Sequence, residues 1–386
     1  MKKLDKYIHP SEDVFFDGAN QISLPSAIKQ IDIENYQSII KTNIAAIQLD
    51  TQWLFLTGEN AFGKTTILQA IAIGLFGKQD ENRILTQENC KIAIELKNNG
   101  DNQISQSDKP KFTNFVAYGS SRLQIQNKQS QNELSEKSSK TYSLFNVDGI
   151  LLNIEYELLL WYLTKNPKYD IVKLTLIKLL PTIADIQIKN NSEIVYIEKE
   201  NNDIYEPLPF EKLASGHKSI IAMIGDMLIR FYKQQPHIIE PKNFTGIVII
   251  DELDLHFHPK WQRKLPIWLS SIFPKIQFIA STHSVIPFLG APKNSVFLKV
   301  NRKKTTGIKL EKIDIDIKNL LPNSILTSPI FDLEGEEIMQ ENNDNISELR
   351  TEKTYDEIQL NNEIKIRLAA FEASDRDFPD DLFETK

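Results

Sequence analysis

The residues Gly58-Glu59-Asn60-Ala61-Phe62-Gly63-Lys64-Thr65, followed by Thr66, carry the most legible chemistry in this chain. Their pattern is G-x-x-x-x-G-K-[ST]. Glycines at both ends let a loop curl until its backbone N–H groups face one point. Lys64 adds a positive charge, and the Thr65 hydroxyl adds an oxygen ligand for a hard cation. Such a loop cradles nucleotide phosphates when a strand runs into it and a helix leaves it. Trp53 to Leu56 reads as that strand. Lys64 to Phe76 reads as that helix, with Ile67, Leu68, Ile71 and Leu75 at helical spacing.

Three further segments add polar groups at the ends of apolar runs. Gly246 to Ile250 is continuously apolar and ends in Asp251-Glu252. A strand buried on both faces has this composition. Asp251 is placed to hold magnesium, and Glu252, on the opposite side of the pleat, to polarise an attacking water. Ile276 to Ala280 is a second such strand, and it leads to Ser281-Thr282-His283-Ser284. A neutral imidazole there can hydrogen-bond a terminal phosphate. Leu213-Ala214-Ser215-Gly216-His217-Lys218 opens an apolar helix that runs to about Lys233. Ser215 and Gly216 at a helix start can receive an anion, and an ordinary helix cap has the same residues.

The remaining chain must position these groups. Ile28 to Ile33, Lys91 to Leu96 and Phe115 to Tyr118 read as strands. Ile150 to Leu163 reads as an apolar helix, and Ile183–Ile188 with Glu193–Glu198 as a hairpin. Gln126 to Lys140 is polar and reads as a loop. Neither a fixed-period repeat nor a long heptad stretch occurs. The sequence has 386 residues, of which 41 % are hydrophobic and 25 % charged, enough for one large domain with a core. Cys90 is the single cysteine, which excludes an internal disulfide and a zinc ribbon. Met1 to Asp13 has no apolar run, and no stretch reaches the roughly 18 apolar residues of a membrane span. A cytoplasmic protein without membrane contact is expected. The net charge is −7, yet Phe331 to Lys386 alone carries 17 acids and 6 bases. The rest of the chain is therefore slightly basic. The acidic end reads as an interaction tail or as a solvated face.

In order and spacing, these four segments resemble an ABC-type ATPase. Leu213 to Lys218 resembles the ABC signature, and Leu253 to Pro259 the loop after Walker B. Ser281 to Ser284 resembles the switch histidine. Ala214 stands where the signature serine is usual, so Ser215 takes that role. Ala61 stands where Gly is common in the RecF/SMC group. Ile33-Glu34-Asn35-Tyr36 is similar to the opening strand of that group, which sets the chain apart from transporter subunits. Gln124, after Ala117 to Arg122, is the candidate for the family's glutamine and a metal contact. The resemblance implies an α/β fold, an ABC-type ATPase head with a mixed sheet core. It also implies an inserted, mainly helical lobe over about 126–240 and an acidic C-terminal extension. The ATPase domain is expected over 1–330 and the tail over 331–386. Asp251 to Pro259, Ala117 to Arg122 and Leu321 to Phe331 look most like the Septu-system ATPases among compact bacterial anti-phage ATPases. That resemblance implies ATP and Mg2+ as cofactors and catalysis by Glu252 and His283. It further implies head-to-tail pairing of two copies, and a separate nuclease subunit of HNH type as partner, with nucleic acid a further contact of the complex. A RecF-like ATPase acting directly on DNA is the alternative, and an ATP-binding scaffold a third. Glu252 speaks against the scaffold.

Overall fold

The computed structural model describes residues 23–80, 83–84, 89–120, 125, 136–190, 192–201, 203–255, 257–315, 317, 320–331 and 355–372. Gln124 and His256 lie outside the described residues. The chain forms two compact units, Met1–Asp314 and Ile315–Lys386.

The first unit begins with β1 (Ser26–Tyr36), β2 (Ile39–Ile44) and β3 (Trp53–Thr57). Helix α1 (Lys64–Phe76) follows, then the two-residue strands β4 (Gln79–Asp80) and β5 (Arg83–Ile84). Next come β6 (Lys91–Asn98), β7 (Asp101–Gln106) and β8 (Phe115–Tyr118). The lobe after β8 holds α2 (Tyr142–Phe145), α3 (Ile154–Leu163) and α4 (Lys168–Leu179). It continues through β9 (Ile183–Ile188), β10 (Ile194–Glu200), β11 (Asp203–Ile204) and β12 (Leu208–Pro209) to the long helix α5 (Ser215–Gln234). The chain then returns to the core with β13 (Gly246–Ile250), α6 (Pro259–Ile272), β14 (Ile276–Ser281), β15 (Val296–Lys303) and β16 (Gly307–Ile313).

The core sheet has the order β16-β15-β3-β14-β13-β8. All neighbours pair in parallel except β15 and β16. The sheet is thus mixed, with its antiparallel member at one edge. Every residue of β3, β8, β13 and β14 is buried, which explains why these strands are mostly apolar without alternation; the buried Gln277 of β14 is satisfied by the Ile28 N–H and the Thr51 carbonyl. A second, antiparallel sheet has the order β2-β1-β6-β7. Helix α1 packs between the two sheets, against β14 on one side and β6 and β7 on the other. Being covered on both sides, it is apolar around most of its circumference: Ile67, Leu68, Ile71, Ile73 and Leu75 are all buried. Trp53 stacks on Phe55 and Phe278 at centroid distances of 5.1 and 4.5 Å. These rings join β3 to β14 beneath the loop that follows β3.

The lobe combines its helices with a small antiparallel sheet of β9 to β12. Asn153 explains why α3 starts at Ile154 rather than Ile150. Its side-chain oxygen accepts from the Glu155 and Tyr156 N–H groups at 3.0 and 3.4 Å and caps the helix there. Helix α6 was not legible because Pro266 sits inside it. The second unit contains α7 (Pro322–Leu326) and α8 (Tyr355–Glu372). No helix among the described residues is long and apolar enough to cross a membrane.

Candidate nucleotide site

The parallel strands β3, β14 and β13 end side by side, and each delivers one of the polar segments to the C-terminal end of the sheet. After β3 the chain turns through Gly58 to Gly63. Gly63 has φ 99°, which calls for glycine, and a Cβ there would also meet Ile308 Cδ1 at 2.3 Å. Ala61 adopts φ 63°, a left-handed conformation in which any Cβ is strained. Arg302 of β15 donates from Nη1 to the Ala61 carbonyl at 3.2 Å and holds the strained peptide from outside. The loop is thus gripped by the β15–β16 hairpin, an element the sequence reading did not find.

Lys64 is buried, and its Nζ donates to the Gly58 and Glu59 carbonyls at 2.6 and 2.9 Å. Burial lowers its pKa to about 8, although Asp251, Glu252 and Asp254 pull in the opposite direction. Thr65 Oγ1 donates to Asp251 Oδ2 at 2.7 Å. Ser281 Oγ donates to Asp251 Oδ1 at 2.5 Å and also accepts the Glu252 N–H at 2.8 Å. Thr66 Oγ1 reaches Gln37 Oε1 at 3.3 Å, which ties the first turn of α1 to the β1–β2 turn.

Glu252 corrects the pleat argument. The strand ends at Ile250, and Glu252 has φ 51°, so its side chain is aimed by a left-handed turn rather than by strand alternation. His283 follows β14, and its N–H donates to Asp254 Oδ1 at 3.4 Å. Thr282 Oγ1 donates to the same oxygen at 2.6 Å. Burial, then the nearby Lys64 charge, lowers the His283 pKa, which favours a neutral imidazole. Asp254, Ser281 and Thr282 were not singled out from sequence. Their signal was position: two hydroxyls directly before His283, and an acid three residues after Asp251.

Lys64, Thr65, Asp251, Glu252 and His283 therefore share one neighbourhood. An oxygen-only set of a threonine hydroxyl and a carboxylate fits magnesium, and Thr65 and Asp251 already face each other. Glu59, Asn60, Ala61 and Phe62 form the body of the loop. No described hydrogen bond links Ser215 or Gly216 to this cluster. Tyr118 at the end of β8 bonds to Asp226 in the middle of α5, and Gln234 near its end donates to Phe115 at the start of β8. Eleven residues separate Ser215 from Asp226, so the helix start lies about 16 Å from Asp226 along the α5 axis.

The cap of α5 is Ala214, without a side-chain capping bond, so Ser215 is the first helical residue and not the cap. Gly216 is needed for packing, since a Cβ there would lie 2.5 Å from Trp261 Cζ3. His217 Nε2 lies 2.7 Å from Thr182 Oγ1, and Nδ1 lies 3.1 Å from Glu198 Oε1. The helix start is therefore held between the β9–β10 hairpin and α6.

Residues 94–288 match the family described as "AAA domain, putative AbiEii toxin, Type IV TA system". The chain belongs to this AAA-domain family. The match includes Ser215, Gly216, Asp251, Glu252 and His283 and begins after the phosphate loop. The core sheet is mixed, as the resemblance implied. Septu protein PtuA of Bacillus mycoides (strain KBAB4) is 28 % identical over 333 residues, 79 % of this AAA-domain chain and 45 % of that protein. The "Retron Vc95 probable ATPase" of Vibrio cholerae serotype O1 biovar El Tor is 49 % identical over 72 residues, 19 % of this chain and 14 % of that protein. This chain spans less than half the length of these curated relatives. The SMC head domain from Thermotoga maritima aligns with a TM-score of 0.41 at 13 % identity, over 75 % of this chain and 99 % of that one.

Proposed function

We propose that this chain binds ATP with magnesium, hydrolyses it between two copies of itself, and is the ATPase subunit of an anti-phage defence complex that controls a separate nuclease. One observation carries the ATPase reading. The Thr65–Asp251–Ser281 hydrogen-bond chain gathers the ends of three parallel strands beside Lys64, Glu252 and His283. In this reading the loop N–H groups and Lys64 bind the phosphates, Glu252 orients and deprotonates water, and neutral His283 donates to the terminal phosphate. Thr65 and Asp251 would hold magnesium, which supplies charge neutralisation at the phosphates. Gln124 is assigned to the same metal from the resemblance alone.

The start of α5 supports pairing: no described hydrogen bond links Ser215 or Gly216 to the phosphate loop of the same chain, and in this reading a second copy supplies them. The relatives named Septu protein PtuA and retron ATPase support the defence setting. The nuclease partner, of HNH type, follows from the Septu resemblance. The acidic tail, 331–386, is a candidate docking element for a basic partner.

The test is phosphate release by the purified chain with ATP, with and without magnesium, alongside Glu252→Gln. The variant should retain ATP binding, lose about 10²–10⁴-fold in rate, and sediment as an ATP-dependent dimer. Turnover unchanged in the variant would remove Glu252 from the mechanism. DNA should be cleaved only when a nuclease partner is added, and cleavage by the chain alone would overturn the division of labour.

A further inference from the structure

Tyr118, Asp226 and Arg230 form a buried polar cluster that phosphate binding does not itself require. Tyr118 is the last residue of β8, and its two ends are engaged separately. Its carbonyl accepts the Asp251 N–H at 2.8 Å, while its hydroxyl donates to Asp226 Oδ2 at 2.7 Å. Asp226 is fully buried in α5. Its Oδ2 also accepts from Arg230 Nε at 2.6 Å, and its Oδ1 accepts the Leu152 N–H at 2.7 Å. Arg230 Nη2 donates to the Ser138 carbonyl at 3.0 Å. The cluster ties β8, α5 and the chain at both Ser138 and Leu152.

A buried ion pair is an expensive way to fill a core, because desolvation offsets most of its attraction. What a satisfied cluster supplies is one geometry, since any shift leaves a buried polar group unpaired. Here that geometry lies between two functional parts. Asp251 is pinned through its N–H to Tyr118, and its carboxylate accepts from Thr65 and Ser281. Were Thr65 and Asp251 to hold magnesium, the Thr65 hydroxyl would no longer donate to Asp251, and an adjustment of Asp251 would reach the Tyr118 peptide through the Asp251 N–H. Tyr118 is a stiff, buried side chain whose far end holds α5. From there the helix runs eleven residues to Ser215 as a rigid rod, so a tilt of a few degrees at Asp226 displaces its start by on the order of 1 Å.

We infer that Tyr118, with Asp226 and Arg230, is a strut that transmits the state of Asp251 to the Ser215–Gly216 end of α5. Tyr118 is thus a positioning residue for pairing rather than a catalytic one. This rests on the ATPase reading above and adds to it how one copy's site sets the surface offered to the other.

Tyr118→Phe in the full chain tests it, because the ring stays while the hydroxyl is lost and Arg230 still pairs with Asp226. ATP affinity should change by no more than about twofold, while ATP-dependent self-association and kcat fall by about 5- to 150-fold. In the unchanged chain ATP should slow amide exchange over residues 213–222, and in Tyr118→Phe that slowing should disappear. Tyr232→Phe is the control: Tyr232 is also on α5 and donates to the Ile239 carbonyl at 2.6 Å, away from Asp251. It should lower thermal stability comparably and leave self-association and kcat intact. Arg230→Lys, which keeps the charge and breaks the bond to Ser138, should show the same split between affinity and kcat as Tyr118→Phe. Normal ATP binding and turnover in the unchanged chain, with Tyr118→Phe indistinguishable from it, would overturn the strut alone. Equal loss of kcat in Tyr232→Phe would reduce it to a stability effect and overturn it as well. Absence of ATP binding by the unchanged chain would overturn the strut together with the ATPase reading.

Discussion

Thr65 and Asp251 meet at the C-terminal end of the sheet: the threonine hydroxyl donates to Asp251 Oδ2 at 2.7 Å and joins the start of α1 to the end of β13 across β14. These two residues would hold a hard cation, with Asp251 supplying the charged ligand. Asp251→Asn should therefore abolish the magnesium dependence of ATP affinity while leaving metal-free binding nearly unchanged. Calorimetry with magnesium and with chelator checks this. Equal loss in both conditions would make Asp251 a structural residue.

Lys64 gives a pH signature. With no nucleotide, its pKa is lowered to about 8 by burial. Bound phosphates hold the proton on, so above pH 8 binding must take one up, and below pH 8 it need not. ATP affinity should be flat up to about pH 8 and then fall toward about tenfold per pH unit. Titrations in buffers of different ionisation enthalpy at pH 8.5 should register the uptake. Lys64→Ala should lose nucleotide binding and keep its thermal transition.

Ala61 is strained at φ 63°. Ala61→Gly should relieve on the order of 1 kcal/mol, since a left-handed L-residue costs about that much. A rise in Tm of about 2 °C by calorimetry is expected. An unchanged or lowered Tm would mean that Arg302 and the loop already compensate.

Gly216 lies against Trp261. A helical Gly→Ala change ordinarily stabilises, but here the added Cβ meets the ring at 2.5 Å. Gly216→Ala should destabilise by about 1–3 kcal/mol through overpacking. In a Trp261→Leu background much of that cost should vanish, with non-additivity above about 0.5 kcal/mol in denaturant unfolding. Full additivity would show that the contact is not what demands glycine.

Much of the architecture was legible because its signals are local. The helix Lys64–Phe76 and the strands Phe115–Tyr118 and Gly246–Ile250 stand in the structure with the bounds read from sequence. Each is a run whose apolar pattern is set by its own burial and ends at a glycine or a polar group. The β15–β16 hairpin was missed, although Val300, Arg302 and Ile308 surround the phosphate loop. Its residues mix charged and apolar types, and β15 is set in the sheet by pairing with β3 and β16 by pairing with β15. Helix α6 was hidden by Pro266.

The sequence by itself determined which chemical groups this protein has and the order in which strands deliver them. A G-x-x-x-x-G-K-T loop after a strand, two acids after an apolar run and a histidine after another follow from composition and spacing alone. Only the tertiary structure decided how they meet. The Ser281 hydroxyl that holds the Glu252 N–H and orients Asp251, and the grip of Arg302 on Ala61, join residues far apart in the chain. Such contacts depend on sheet order and register. Those are set by packing α1 between two sheets, a global balance of burial that no local pattern encodes.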